Sequence, residues 1–255
     1  MWLERSELIF GKEAIDSLQE SHVLIVGLGG VGSFAAEFIA RAGVGTMTII
    51  DGDVFDITNK NRQLMAMDST IGKHKSKVLA DKLIDINPDL NLNILTEFVE
   101  PERVWEILKE YQPDYIIDCI DSVSPKIEWI IAAMRLRIKI ISCFGAGGKK
   151  DPSMVKVTRL HRTYHCKLAQ QIKKRLKRRG VSFERVRAVF SAEIQDKNSL
   201  AMTDGSDYKR SYYGTTSYIP ALFGLHAAAE VIRHLTDVKL AHKKEEQKRI
   251  GEAKN

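Results

Sequence analysis

The segment "VLIVGLGGVG" at positions 23–32 constrains this chain more than any other. Four apolar residues, 23–26, read as a buried strand and run into glycines spaced Gly27-x-Gly29-x-x-Gly32, with Gly30 between. "GSFAAEFIARAGV" follows, with Phe34, Phe38, Ile39 and Ala42 on one predicted helical face. Strand, glycine turn and helix in that order form a corner that cradles phosphate. Gly27 permits the tight turn, Gly29 lets the backbone approach phosphate oxygens, and Gly32 lets the helix pack closely on its strand. The helix N-terminus adds unpaired N–H groups and a partial positive charge. Asp51 lies 19 residues beyond Gly32, at the end of the next strand "GTMTIID". There it suits hydrogen bonding to both hydroxyls of a ribose.

The same rhythm continues downstream. "KHKSKVLADKLIDINP" reads as a helix stopped by Asn87-Pro88, and "NLNILTEF" as a strand. "PERVWEILKEY" is a helix with proline in its first turn, "DYIIDCID" a strand, "PKIEWIIAAMRLR" a helix and "IKIISCFGAGG" a strand. Alternation through residue 148 predicts an α/β fold: a doubly wound, Rossmann-like, mostly parallel sheet. Residues 4–20 read as a helical arm ahead of it. After Gly148 the pattern changes to a basic α+β extension. It holds a strand "MVKVTRL", a helix "HCKLAQQIKKRLKRRGV", a strand "RAVFSAE" and a polar loop over 197–217 that reads as mobile. A helix with Pro220 in its first turn and a charged tail complete it. The expected division is therefore 1–150 for the nucleotide-binding domain and 151–255 for a basic region that completes the fold.

Charge follows the same division. Residues 151–255 carry 22 Lys/Arg against 11 Asp/Glu, whereas residues 1–150 carry 17 against 22. The basic part suits a polyanionic partner, though a solvated helix face would look the same. No apolar run reaches the roughly 18–20 residues of a membrane span. "MWLERSELIF" lacks the form of a signal peptide. Three cysteines, Cys119, Cys143 and Cys166, include no CxxC pair, so the expected setting is reduced and cytoplasmic, without a thiolate zinc site.

A glycine turn with a ribose acid serves NAD as well as ATP. "DGDVFDITNKNRQ" and "GKHKSK" favour the triphosphate, because Arg62 and Lys75 supply cations that a dinucleotide does not need. Asp121, at the carboxyl edge of the sheet, is a candidate magnesium ligand. Taken singly, Lys75 also fits a solvated helix start, and Asp121 a helix-capping carboxylate.

These residues resemble the adenylating superfamily of ubiquitin-activating type, whose members join a carboxylate to AMP at the expense of ATP. The resemblance rests on the GxGGxG turn, the Asp51-x-Asp53 pair, the Asn59-x-x-Arg62 element and the Gly72-x-x-Lys75 element, in that order. It implies that Asp51 binds ribose, that Asn59, Arg62 and Lys75 contact phosphates, and that Asp121 holds Mg2+. It also implies a homodimer in which an arginine ahead of the first strand reaches the partner's ATP. Arg5 is the match here.

Within that superfamily, sulfur-carrier activators typically add two CxxC pairs, and ubiquitin activators add a catalytic-cysteine domain; this chain has neither. "DCIDSVSPK", "FGAGGKKDP", "VKVTRL" and "RAVFSAE" instead resemble the tRNA threonylcarbamoyladenosine dehydratase branch. That resemblance implies ATP-driven cyclisation of the modified base in the anticodon loop of tRNA. It brings a monovalent cation, Na+ or K+, and a cysteine desulfurase system as further candidates. Members can carry a cysteine before the last helix; "DYKRSYYGTTSYIPALFG" has none. In this light "KKRLKRRG" at 173–180, with Lys149, Lys150, Arg159 and Arg162, is a candidate tRNA surface. Tyr208, Tyr212 and Tyr213 are candidates for stacking on unpaired bases. Three alternatives remain: an adenylyltransferase for the C-terminus of a ubiquitin-like sulfur carrier, an NAD-dependent oxidoreductase, and a non-enzymatic nucleotide-sensing scaffold.

Overall fold

The computed structural model describes residues 2–202 and 211–252. The chain opens with helices α1 (Glu4–Phe10) and α2 (Lys12–Gln19), then alternates: β1 (His22–Val26), α3 (Gly32–Arg41), β2 (Thr46–Ile50), α4 (Lys75–Ile86), β3 (Asn91–Leu95), α5 (Pro101–Tyr111), β4 (Tyr115–Asp118), α6 (Val123–Leu136) and β5 (Lys139–Cys143). The remainder is β6 (Val155–Arg159), α7 (Lys167–Arg178), β7 (Arg187–Ser191), β8 (Leu200–Met202), β9 (Ser211–Tyr213) and α8 (Ile219–Glu252).

Seven strands form one sheet in the order β3-β2-β1-β4-β5-β7-β6. Neighbours are parallel except β6, which runs antiparallel to β7. The order reverses between β1 and β4, and such a switch point opens a crevice at the carboxyl ends of the strands. Helices cover both faces, which is why the central strands are continuous apolar runs. Val23, Ile25, Met47, Ile49 and Ile117 pack toward α2, α3, α4 and α8. Leu24, Val26, Ile50, Ile116 and Ile140 pack toward α5, α6 and α7.

The sheet and the helix alternation match the expectation. Three local details differ. The arm over 4–20 is two helices, because Gly11 turns the chain at φ 85°. The deepest face of α3 is Ala35, Ala36, Ile39 and Ala40, and the two phenylalanines are only half-buried. Small residues dominate there because α8 crosses the start of α3 closely: a Cβ on Gly224 would lie 2.4 Å from the Val31 carbonyl oxygen. The polar segment after β7 contains an antiparallel ribbon, β8 with β9, so it is not wholly loop. Tyr208 lies outside the described residues.

Candidate active site

The glycine turn sits at the switch point, and close approaches account for Gly27, Gly30 and Gly32. Gly27 has φ 84°, and a Cβ on it would press on the Cys119 carbonyl group at 3.1–3.2 Å. A Cβ on Gly32 would overlap the Gly27 carbonyl oxygen at 1.8 Å. Gly30 lies under the stem of Arg62 and under Pro220 at the start of α8, each 3.2 Å from where its Cβ would be. These approaches draw the glycine turn, the 119–121 segment, the arginine element and α8 together around one crevice.

Asp51 follows β2 directly. Its carboxylate accepts hydrogen bonds from Leu28 N–H at 2.6 Å and Asp53 N–H at 2.8 Å. Burial raises its carboxyl above the ordinary carboxylate value, outweighing the Leu28 and Asp53 N–H groups and the Lys75 charge that pull it down. Lys75 is the first residue of α4, and its side chain is 7% exposed. Its ammonium lies 2.8 Å from the half-exposed Asp53 carboxylate. Lys73 and Lys77, its neighbours in the motif, are exposed. Only Lys75 turns inward, so it is not the solvated helix-start lysine that its position alone allowed.

A short 3-10 turn sets the arginine element. Asp56 caps it, accepting from Thr58 N–H at 2.8 Å, while the Asn59 side-chain oxygen accepts from Asp56 N–H at 3.2 Å. This reciprocal box fixes the backbone from which Arg62 and Gln63 project. The Arg62 guanidinium donates to the Thr58 carbonyl at 3.0 Å and to Asn61 Oδ1 at 2.9 Å. Asn61 in turn donates to the Thr215 carbonyl at 3.0 Å, joining this element to the segment ahead of α8.

Asp121 is exposed and lies just ahead of Ser122, the N-cap of α6. Beneath it is a group that sequence reasoning missed. The Asp118 carboxylate and Lys126 ammonium are wholly buried and 2.6 Å apart. Ser142 Oγ donates to Asp118 at 2.8 Å, and Ile120 N–H donates to it at 3.0 Å. Asp118 therefore shapes the turn that carries Asp121 to the edge of the crevice.

The basic surface is narrower than expected. Lys149 is buried, and its ammonium donates to the Glu193 and His165 carbonyls, so it offers nothing to a polyanion. Burial lowers its pKa from the ordinary lysine value. On α7, Lys173 donates to the Thr163 carbonyl at 2.7 Å, Arg175 to Ser124 Oγ at 3.3 Å, and Arg179 pairs with Glu128. Lys174, Lys177 and Arg178 are exposed, as are Lys150, Arg159 and Arg162. Tyr212 is exposed, whereas the Tyr213 hydroxyl accepts from Lys167 at 2.8 Å. Cys166 is buried at the start of α7, and the neighbouring His165 ring bonds to the Ala192 carbonyl rather than to the thiol. Arg5 lies exposed on α1, the helix farthest in sequence from these elements.

A doubly wound sheet with a glycine turn at its switch point, a buried acid directly after the second strand and an inward lysine defines a nucleotide-binding protein. More narrowly, the chain belongs to the ThiF family, whose model matches residues 3–254. It is 34% identical over 243 residues to the tRNA threonylcarbamoyladenosine dehydratase of Haemophilus influenzae, covering 91% of this chain and 92% of that one. It is 33% identical over 238 residues to the protein of the same name from Bacillus subtilis, covering 91% and 93%. The crystal structure of the Escherichia coli tRNA N6-threonylcarbamoyladenosine dehydratase in complex with ATP superposes with a TM-score of 0.83 at 33% identity, covering 93% of this chain and 94% of that one. No helix among the described residues is long and apolar enough to cross a membrane.

Proposed function

We propose that this protein dehydrates N6-threonylcarbamoyladenosine in tRNA, using ATP to close a ring through an acyl-adenylate. The observation that carries this reading is the near full-length match to dehydratases and to an ATP complex, on a fold whose crevice gathers Asp51, Arg62 and Lys75. The chemistry explains those residue types. A carboxylate is a poor electrophile because its leaving group would be oxide. In the first step a threonyl carboxylate oxygen attacks the α-phosphorus of ATP and pyrophosphate leaves. In the second the carbamoyl group attacks the activated acyl carbon and AMP leaves. Atoms balance as loss of one water against conversion of ATP to AMP and pyrophosphate. Such steps depend on positioning and charge stabilisation rather than on a protein nucleophile.

In this reading Asp51 takes the ribose hydroxyls, and the Gly27–Gly32 turn takes phosphate on its N–H groups. Asn59, Arg62 and Lys75 neutralise the triphosphate. Lys75 then shares its charge between Asp53 and phosphate. Magnesium is commonly held by one or two carboxylates together with substrate phosphates. The exposed Asp121 carboxylate, one residue beyond the segment packed on Gly27, suits that donor set. When bound there, the ion would supply positive charge against the phosphates. Arg5 would act across a homodimer interface, and Lys174, Lys177 and Arg178 would track the tRNA backbone. A cytoplasmic setting goes with a tRNA substrate; a monovalent cation and a desulfurase partner remain proposals without a residue of their own.

The test is direct. The protein is incubated with ATP, magnesium and tRNA bearing threonylcarbamoyladenosine, and the digested nucleosides are weighed. The expected product is lighter by one water, with AMP and pyrophosphate released in equal amounts. An unchanged nucleoside alongside verified ATP binding would overturn the reading and favour activation of a protein carboxyl terminus.

A further inference from the structure

Gln63 follows Arg62 and has no task in the reading above, yet its side chain is placed oddly. The residue is 8% exposed, its amide Oε1 is buried, and that oxygen has no hydrogen-bond partner. Its backbone, by contrast, is held at both ends: Gln63 N–H donates to the Asn59 carbonyl at 2.9 Å, and Ala66 N–H donates to the Gln63 carbonyl at 3.1 Å. Leaving a buried polar group unpaired is costly, so a firmly mounted amide with no partner calls for a physical reason.

The surroundings of Gly29 supply one. A side chain at this second glycine of the turn would stand where a ligand comes against the backbone. The Gln63 amide nitrogen lies 3.6 Å from the place of that absent Cβ, and the amide carbon 3.9 Å. Chain neighbours aside, no other atom of the described residues comes within 4 Å of it. The Gly29 carbonyl is pinned on its own side by Ser33, which donates to it from N–H at 3.2 Å and from Oγ at 2.7 Å. The amide of Gln63 therefore borders the ligand space at Gly29, while the stem of the preceding Arg62 packs over Gly30. Two consecutive side chains address two consecutive glycines, one a cation and the other uncharged.

Adenylation brings two groups together at this turn, a polyphosphate and a carboxylate. The polyphosphate calls for cations, which Arg62 and Lys75 provide. A carboxylate that must act as a nucleophile is better served by a neutral donor, because close pairing with a cation would quench its attack. A primary amide offers two N–H donors without charge. We infer that the Gln63 amide orients the substrate carboxylate, donating an N–H to the oxygen that does not attack. The other oxygen forms the new bond to the α-phosphorus. The bond from that phosphorus to pyrophosphate breaks, pyrophosphate takes the electron pair, and the amide keeps its protons throughout. This inference deepens the dehydration reading and rests on it.

The test uses Gln63→Met, which keeps the length of the side chain and removes the amide, with Gln63→Ala as a second variant. Pyrophosphate release is followed in a single turnover with modified tRNA and saturating ATP, and ATP affinity is measured by calorimetry without tRNA. In both variants the single-turnover rate falls roughly tenfold to a hundredfold while ATP affinity stays within about twofold of wild type. The thermal midpoint of Gln63→Met is equal to or above that of wild type, because an unpaired buried oxygen has gone. A wild-type rate in Gln63→Met overturns the role of Gln63. So does a loss of ATP affinity as large as the loss of rate, which would make the amide a nucleotide contact. A wild-type protein that binds ATP and releases no pyrophosphate with modified tRNA overturns the dehydration reading itself, and this inference with it.

Discussion

Lys126 and Asp118 are both fully buried, 2.6 Å apart, with the Lys126 ammonium also 5.2 Å from the centre of the Phe144 ring. Taking two charges out of water is costly, and the pair holds only because each answers the other. Removing one partner strands the other charge. Lys126→Met is therefore expected to cost about 3–5 kcal/mol, seen as a fall of roughly 10 °C in the thermal midpoint. The double variant Asp118→Leu/Lys126→Met should recover part of that loss, yet still bind ATP weakly, because Ile120 N–H has lost the acceptor that shapes the turn to Asp121. A loss below about 1 kcal/mol in the single variant would mean that the pair is hydrated and does not set the turn. This pair was not legible in the sequence. Asp118 sits in an apolar strand and Lys126 eight positions on, a spacing that crosses a strand, a turn and a helix and has no period to betray it. Asp51, Arg62 and Lys75 could be singled out from the sequence because a phosphate site would call for particular residue types at particular distances from a glycine turn. What spacing did not reveal is that Lys75 is already paired with Asp53, since that contact depends on the path of the chain between them.

At the level of elements, α7 shows how a charge run divides. Its apolar residues Ala169, Ile172 and Leu176 are buried against the sheet side, which forces the cations onto the remaining arc. Arg175 and Arg179 then fall beside α6 and bind it, and Lys173 turns back to the Thr163 carbonyl. Of the six, Lys174, Lys177 and Arg178 are exposed and lie outside these three contacts. Replacing those three by Gln should weaken tRNA binding and make the slope of log affinity against log salt shallower by about two to three. ATP binding measured without tRNA should be unchanged. Replacing Arg175 and Arg179 instead should lower thermal stability with less effect on the salt slope. Unaltered affinity and slope in the triple variant would make α7 a solvated face. The helix itself was readable from its composition and the glycine that ends it, but which cations are spent internally depends on the facing helix. The same limit explains Lys149, expected on the surface and found buried beneath two carbonyls. A doubly wound, mostly parallel sheet followed from alternation; the full strand order, with β7 and β6 at one edge, and the β8–β9 ribbon did not, the ribbon because short polar strands carry no hydrophobic period.

The whole molecule leaves one apolar region uncovered near its N-terminus. Leu8 and Ile9 of α1 are 83% and 77% exposed, and Phe10, Phe38, Leu225 and Ile232 line a neighbouring cleft of about 210 Å³. Apolar surface gathered in this way is what an interface between copies of a chain covers. Arg5 stands on the same helix, so a partner seated there would bring Arg5 close to its own contact surface. The homodimer reading therefore makes a prediction that simple oligomer measurements cannot imitate. Arg5→Ala and Arg62→Ala proteins are each expected to lose adenylation, measured as pyrophosphate exchange. In a dimer of one with the other, one site lacks both arginines, while the second has its own Arg62 and the partner's intact Arg5. Random exchange of the two inactive proteins should thus restore about one quarter of the wild-type sites, since half of the closed dimers are mixed and each holds one complete site. Substituting Leu8→Asp and Ile9→Asp in both proteins should give monomers by sedimentation and abolish the restoration. If mixing recovers nothing while mixed dimers are seen to form, Arg5 works within its own subunit or not at all, and the crevice must find its remaining positive charge elsewhere.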